Sequence, residues 1–297
     1  MNKELKGTIL ALLTAVISGV SIPLNKIFVV NLDPLVFTSI RSLIIGAVFL
    51  VITRFRREHI DKKINIKYLA LIAIIGGAFA FLLFFDGLKL TTSGRAAFLH
   101  KTMPLYIIVL AFLFLKEKIT KKYLYYILLM LIGTAAIYYS DIASDPLWFN
   151  PSLGDLLIMG ATFLWAIENI LAKKVMIKES NFIVSFVRMF FGGVILLSIV
   201  LVLGKIEILM NLNSQQLINI GISTLVLFGY VLFWYWSLKF INVSKASIIL
   251  LLSPVVSFLI GASFLSEPAP YTQIIGSVLI LMGAYLVSNI KSESRSI

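Results

Sequence analysis

Cysteine is absent from the 297 residues, and histidine occurs only at His59 and His100. The first absence excludes disulfides and thiolate metal sites, and two imidazoles are too few for a histidine metal cluster. Charge is scarce as well: 13% of residues are Asp, Glu, Lys or Arg, against about a quarter in a soluble domain. No Ser/His/Asp set and no glycine-rich phosphate loop is visible, so an enzyme is not expected and no cofactor is called for. Apolar residues take the place of these groups. They make up 60% of the chain, above the roughly 45–50% of a soluble domain, and they are spread along its whole length. The sequence therefore reads as an all-α, multi-pass membrane protein whose first partner is the lipid bilayer.

Apolar runs of spanning length fall at roughly 7–30, 34–53, 67–89, 94–115, 121–140, 152–173, 181–203, 217–238, 245–266 and 270–290. Each is long and lacks period-two alternation, which predicts ten transmembrane helices rather than strands. Lys3 and Lys6 precede the first run as in a signal peptide. The run continues through Val30 without a small-residue cleavage site, so a retained first helix is expected.

Basic residues set the orientation. With the N-terminus cytoplasmic, 19 of the 26 Lys and Arg fall in inside segments, among them Arg54, Lys62, Lys63, Lys116, Lys173, Lys239, Lys291 and Arg295. Outside segments hold four (Lys26, Lys89, Arg95, Lys205), and Arg41, Lys101 and Arg188 lie within spans. Both termini are therefore expected in the cytoplasm, in a plasma (inner) membrane. The net charge of +12 is then topogenic and calls for no nucleic-acid partner.

The chain also repeats itself. Shifted by 150 residues, 87–139 meets 237–289 without a gap, superposing Lys89, Pro104, Glu117 and Gly133 on Lys239, Pro254, Glu267 and Gly283. An offset of 147 places Gly7, Lys26 and Arg41 on Gly154, Lys173 and Arg188. Two five-helix units, 1–145 and 146–297, are expected. Because five is odd, the second is inverted relative to the first, which is a recurring plan of secondary transporters.

The passage GLKLTTSGRAAFLHKTMPLYIIVLAFLFLKEKIT, echoed by SLKFINVSKASIILLLSPVVSFLIGASFLSEP, resembles the EamA-type family of drug/metabolite transporters. The repeat starts GTILALLTAVISGVSIPLNK and GDLLIMGATFLWAIENILAKK fit as well, with the family's Trp at Trp165 and Ser18 in its place in the first copy. The likeness covers nearly the whole chain. It implies ten helices, a central cavity formed mainly by helices 1, 3, 4, 6, 8 and 9, and movement of small metabolites. Asp86 stands where the second copy has Trp236, and Lys101 where it has Leu251. Substrate choice could lie in these differences.

Counting helical rise from the span ends gives depth. Lys101 and Arg41 lie about 10 Å below the outer edge, Asn25 about 8 Å and Asp86 about 5 Å. Glu168 and Arg188 lie roughly 8–10 Å above the inner edge, with Asn169 close by. Two polar belts are expected: Asp86 against Arg41 and Lys101 in one, Glu168 with Arg188 as an ion pair in the other. Arg41 and Arg188 are also read as snorkelling or backbone-satisfying side chains, and His100 as a helix–helix hydrogen bonder. Phe81, Tyr106, Trp165, Tyr230 and Trp234 sit near mid-depth, where rings pack and can also face a solute. Pro104 and Pro254 are expected to kink helices four and nine, as hinges or as static bends. Glu117 and Glu267 are read as interfacial caps.

The expected function is a secondary transporter that moves small organic metabolites by alternating access. An amino-acid-like or other carboxylate-bearing solute is preferred, with Lys101, helped by Arg41, on the carboxylate and Glu168 or an aromatic on the ammonium. The alternatives are a phosphorylated-solute exchanger and a proton-coupled exporter of hydrophobic cations, with Glu168 carrying the proton. Monomer and homodimer are both compatible with the sequence.

Overall fold

The computed structural model describes residues 2–28, 32–60, 66–143, 150–264 and 267–290. Lys62, Lys63, Lys291, Arg295 and the expected 145/146 junction lie outside the described residues.

Ten principal helices run through the described chain. They are α1 (Lys3–Phe28), α2 (Pro34–Phe55), α3 (Ile66–Leu90), α4 (Gly94–Phe114), α5 (Lys121–Ile137), α6 (Leu153–Val175), α7 (Asn181–Val202), α8 (Ser214–Leu238), α9 (Val243–Phe264) and α10 (Tyr271–Ser288). All but α5 are long and apolar enough to cross a bilayer. The 17 residues of α5 rise about 25 Å, short of a hydrocarbon layer of about 30 Å. The run expected as one span over 121–140 is divided: Tyr138 leaves the helical conformation (φ −92°, ψ 15°), and a separate short helix, Tyr139–Ala143, follows.

Polar side chains start the helices by taking up amides that have no carbonyl partner within the helix. Asp33 accepts from Leu35 and Val36 with Pro34 in the first turn, Thr92 accepts from Arg95, and Thr120 from Tyr123. Ser152 with Asp155, and Asn213 with Gln216, close reciprocal capping boxes on α6 and α8.

The closest pairings are α1 with α8, α3 with α6, α2 with α7 and α5 with α10, and α9 and α4 lie on α1 and α6. Small residues permit the tightest of these. On α5, a Cβ at Gly133 would fall 2.7 Å from the Gly276 carbonyl oxygen of α10.

Buried or half-buried ion pairs tie the two ends of the bundle. At the end holding the start of α1, the Lys245 ammonium is fully enclosed. It donates to Glu4 Oε1 (2.7 Å) and to the carbonyls of Ser288 (3.0 Å) and Ile290 (2.6 Å). There too, Glu117 accepts from the amides of Val243 (2.9 Å) and Ser244 (3.2 Å), so it caps α9 as an interfacial glutamate should. At the opposite end Arg95 pairs with Asp155, which also accepts from Thr91 Oγ1 (2.6 Å) and the Ser152 amide (2.8 Å). Nearby, Asp33 meets Lys205 at 2.6 Å. Burial alone would raise the Asp33 carboxyl pKa. The Lys205 ammonium and the Leu35 and Val36 amides outweigh that and hold it below its ordinary 3.8.

Candidate functional site

Two helix breaks meet in the interior. The first part of α4 ends at His100, Lys101 and Thr102 form a turn, and the helix resumes at Met103 with Pro104 in its first turn. In α9, a tight 3-10 turn at Leu250–Leu252 precedes Pro254. A proline ring excludes the carbonyl of the preceding turn and supplies no N–H, so each break falls just ahead of its proline. Pro104 and Pro254, expected to kink their helices, each follow such a departure from regular α-helix. A small cleft lies between the breaks, lined by His100, Lys101 and Pro104 on one side and Ser247, Leu250 and Leu251 on the other.

Lys101 is 7% exposed, and its Nζ donates to Ser253 Oγ at 2.7 Å. Among the described residues no carboxylate pairs with it. The expected balance against Asp86 is not found. Asp86 bonds Lys89 at 3.0 Å instead, with its side chain 61% exposed, because the two are one helical turn apart at the open end of α3. His100 also departs from expectation. Its Nδ1 is buried without a hydrogen bond, and its ring packs edge-on against Trp165 (5.0 Å) and Phe84 (5.7 Å).

The second locus is where α3, α6, α7 and α8 meet. Wide π-helical turns at Ile72–Phe79 in α3 and Val187–Phe191 in α7 face each other. Such turns are frequent at functional sites. Glu168 packs directly on Gly76, where a Cβ would collide with its side chain. The Glu168 carboxylate accepts from the Tyr235 hydroxyl, and its other oxygen stands 3.6 Å from Arg188 Nε. The expected pair of Glu168 with Arg188 is thus brought together. Arg188 also lies over Phe81 (5.9 Å) and Tyr235 (6.0 Å). Trp165 Nε1 donates to the Gly76 carbonyl (3.2 Å), and the ring meets Phe81 at 5.2 Å. Asn169 Oδ1 accepts from Trp234 Nε1 (2.7 Å), and Trp234 stacks on Tyr230. Tyr106 stands apart, packed on Phe163 at 5.6 Å.

The third locus joins α1, α2 and α8. Arg41, 6% exposed, donates from Nη1 to Ser223 Oγ (2.6 Å) and weakly to Asn25 Oδ1 (3.4 Å). Ser223 Oγ in turn donates to Asn25 Oδ1 (2.8 Å). Arg41 is therefore turned inward on polar partners rather than snorkelling to the end of the bundle.

Ser223, Ser253, Tyr235 and the Arg95–Asp155 pair escape the sequence reading. Serine and tyrosine are common in apolar helices and carry no spacing signal. Arg95 looks like a loop charge until the start of α6 is placed beside it.

The sequence model of the EamA-like transporter family matches residues 5–139 and again 152–289. An uncharacterized transporter of Methanothermobacter thermautotrophicus is 27% identical, over 96% of this chain and 87% of its own. A probable amino-acid metabolite efflux pump of Salmonella typhimurium is 26% identical, over 95% and 94%. A protein of known crystal structure superposes with a TM-score of 0.77 at 16% identity, covering 95% of this chain and 98% of its own, which shows the shared fold. Matched by one family twice along nearly its whole length, this chain of apolar helices belongs to the EamA-like transporter family.

Proposed function

We propose that the protein is a secondary transporter of small carboxylate-bearing solutes, amino-acid-like ones foremost, working by alternating access. Its ten helices, α5 included, would cross the plasma membrane with both termini in the cytoplasm, as two inverted units of residues 1–145 and 146–297. The helix pairings support two equivalent units: α1 with α8 corresponds to α6 with α3, and α1 with α9 to α6 with α4, when the units are exchanged.

The observation that carries the solute class is Lys101. A buried ammonium is costly without a partner, yet its hydrogen bond goes to the neutral Ser253. It sits at a helix break beside a cleft, where a cation with no carboxylate partner suits an anionic group. The name of the Salmonella relative, a probable amino-acid metabolite efflux pump, agrees with that class. Trp165, Phe81 and Tyr230 offer aromatic faces to the rest of the solute.

A melting-temperature screen of the purified protein against amino acids, sugar phosphates and organic cations should single out carboxylates, since binding stabilises by mass action. Proteoliposome flux of the stabilising solute should then be lost in Lys101→Leu. Flux unchanged in that variant would remove the assignment. A second reading rests on Glu168, a buried carboxylate bonded to Tyr235 and close to Arg188. If it carries a coupled proton, Glu168→Gln abolishes proton-driven flux and leaves exchange of solute for solute intact.

A further inference from the structure

We propose that Arg41, Asn25 and Ser223 form a second carboxylate-binding station, separate from Lys101 and lying between it and the end of the bundle that carries Asp33. Its place on a solute path rests on the transport function proposed above.

The two matched arginines provide an internal comparison. Arg188, in the second repeat, faces the carboxylate of Glu168 at 3.6 Å. The same 147-residue offset that maps Arg188 on Arg41 maps Glu168 on Ser21, so the first repeat has no acid at the position that faces Arg188 in the second. Among the described residues no carboxylate pairs with Arg41. Its hydrogen bonds go to the neutral Ser223 and Asn25 from Nη1, and its buried Nε makes none. The centroid of the Phe37 ring lies 3.8 Å from Cζ, on one face of the guanidinium. That leaves the Nε edge, one side of the fork that receives a carboxylate through two parallel hydrogen bonds.

Arg41 and Lys101 do not share partners. Lys101 is held by Ser253, and the Ser253 carbonyl lies against Gly19 of α1, where a Cβ would stand 2.7 Å from it. Asn25 lies six residues farther along the same helix, about 9 Å at 1.5 Å per residue. These separate partners favour two stations over the expected joint site in which Arg41 assists Lys101.

Equilibrium binding of radiolabelled benzoate, a single carboxylate with no other charge, to the purified full chain tests this. Two sites per chain are expected, with Arg41→Gln removing one and Lys101→Leu the other. The site that survives in each variant certifies its fold. Arg41→Lys, which keeps the charge without the fork, should weaken the first site at least tenfold and leave the second. Absence of benzoate binding, a single site abolished by either substitution, or Arg41→Lys with both sites at wild-type affinity overturns the proposal. If one site is found and only Lys101→Leu removes it, the Arg41 station is refuted while the Lys101 assignment stands. If Arg41→Gln removes a site and Lys101→Leu removes none, the station stands and the Lys101 assignment falls.

Discussion

Asp33 shows how one side chain serves two purposes at the rim of the bundle. It caps α2 and pairs with Lys205 of the next unit. Its carboxyl pKa is held below 3.8 in the folded protein. It therefore contributes stability that is fully present above that ordinary value and lost as pH falls through the lower folded value. Asp33→Asn keeps a capping oxygen and removes the charge. Its melting temperature should lie below that of the parent at neutral pH and converge with it under strong acidification, which a melting series in pH would show. In the interior, Glu168→Gln leaves Arg188 without its carboxylate and should cost about 3–5 kcal/mol. The double variant Glu168→Gln/Arg188→Met should recover part of that loss, as denaturation of both variants would reveal.

At the scale of elements, helices α4 and α9 are each interrupted just before a proline, and each interruption borders the same cleft. If the breaks act as hinges, Pro104→Ala and Pro254→Ala should slow proteoliposome flux severalfold without lowering the melting temperature, because a restored hydrogen bond favours the helix. Unchanged flux would identify static bends. The α5–α10 contact makes a different demand. Gly276→Val thrusts a branched side chain at the Gly133 carbonyl and should destabilise by about 1–3 kcal/mol without a selective effect on solute affinity. Paired melting and binding measurements separate those effects.

Across the whole molecule, matched ion pairs join the two repeats at both ends. Arg95 and Lys245 occupy equivalent positions in the repeat, and each reaches an acid at the first helix of the other unit, Asp155 and Glu4. Both ends are tied in this structure. If the protein works by alternating access as proposed, each must release in turn, so weakening one should bias the protein open at that end. Because the chain has no cysteine, single reporters are clean. Asp155→Asn should speed maleimide labelling of a cysteine placed at Ala96. Glu4→Gln should do so for one placed at Ala246. Neither should speed labelling at the other end.

Long apolar runs, the internal offset and the twice-used Lys–Pro–Glu pattern were enough to read helices, a repeated unit and a transporter family, because lipid demands helices and charge must sit at their ends. Arg41, Lys101, Glu168 and Arg188 announced themselves by charge in apolar surroundings. Their partners did not. Depth along each helix suggested Asp86 as the counter-ion for Lys101, but depth is one coordinate only, and the azimuth of α3 turns Asp86 outward to Lys89. That Lys101 meets Ser253, Glu168 meets Tyr235, and Arg41 meets Ser223 depends on how three or four helices rotate against one another. Such rotations are set by packing over residues far apart in the chain, and no local pattern records them.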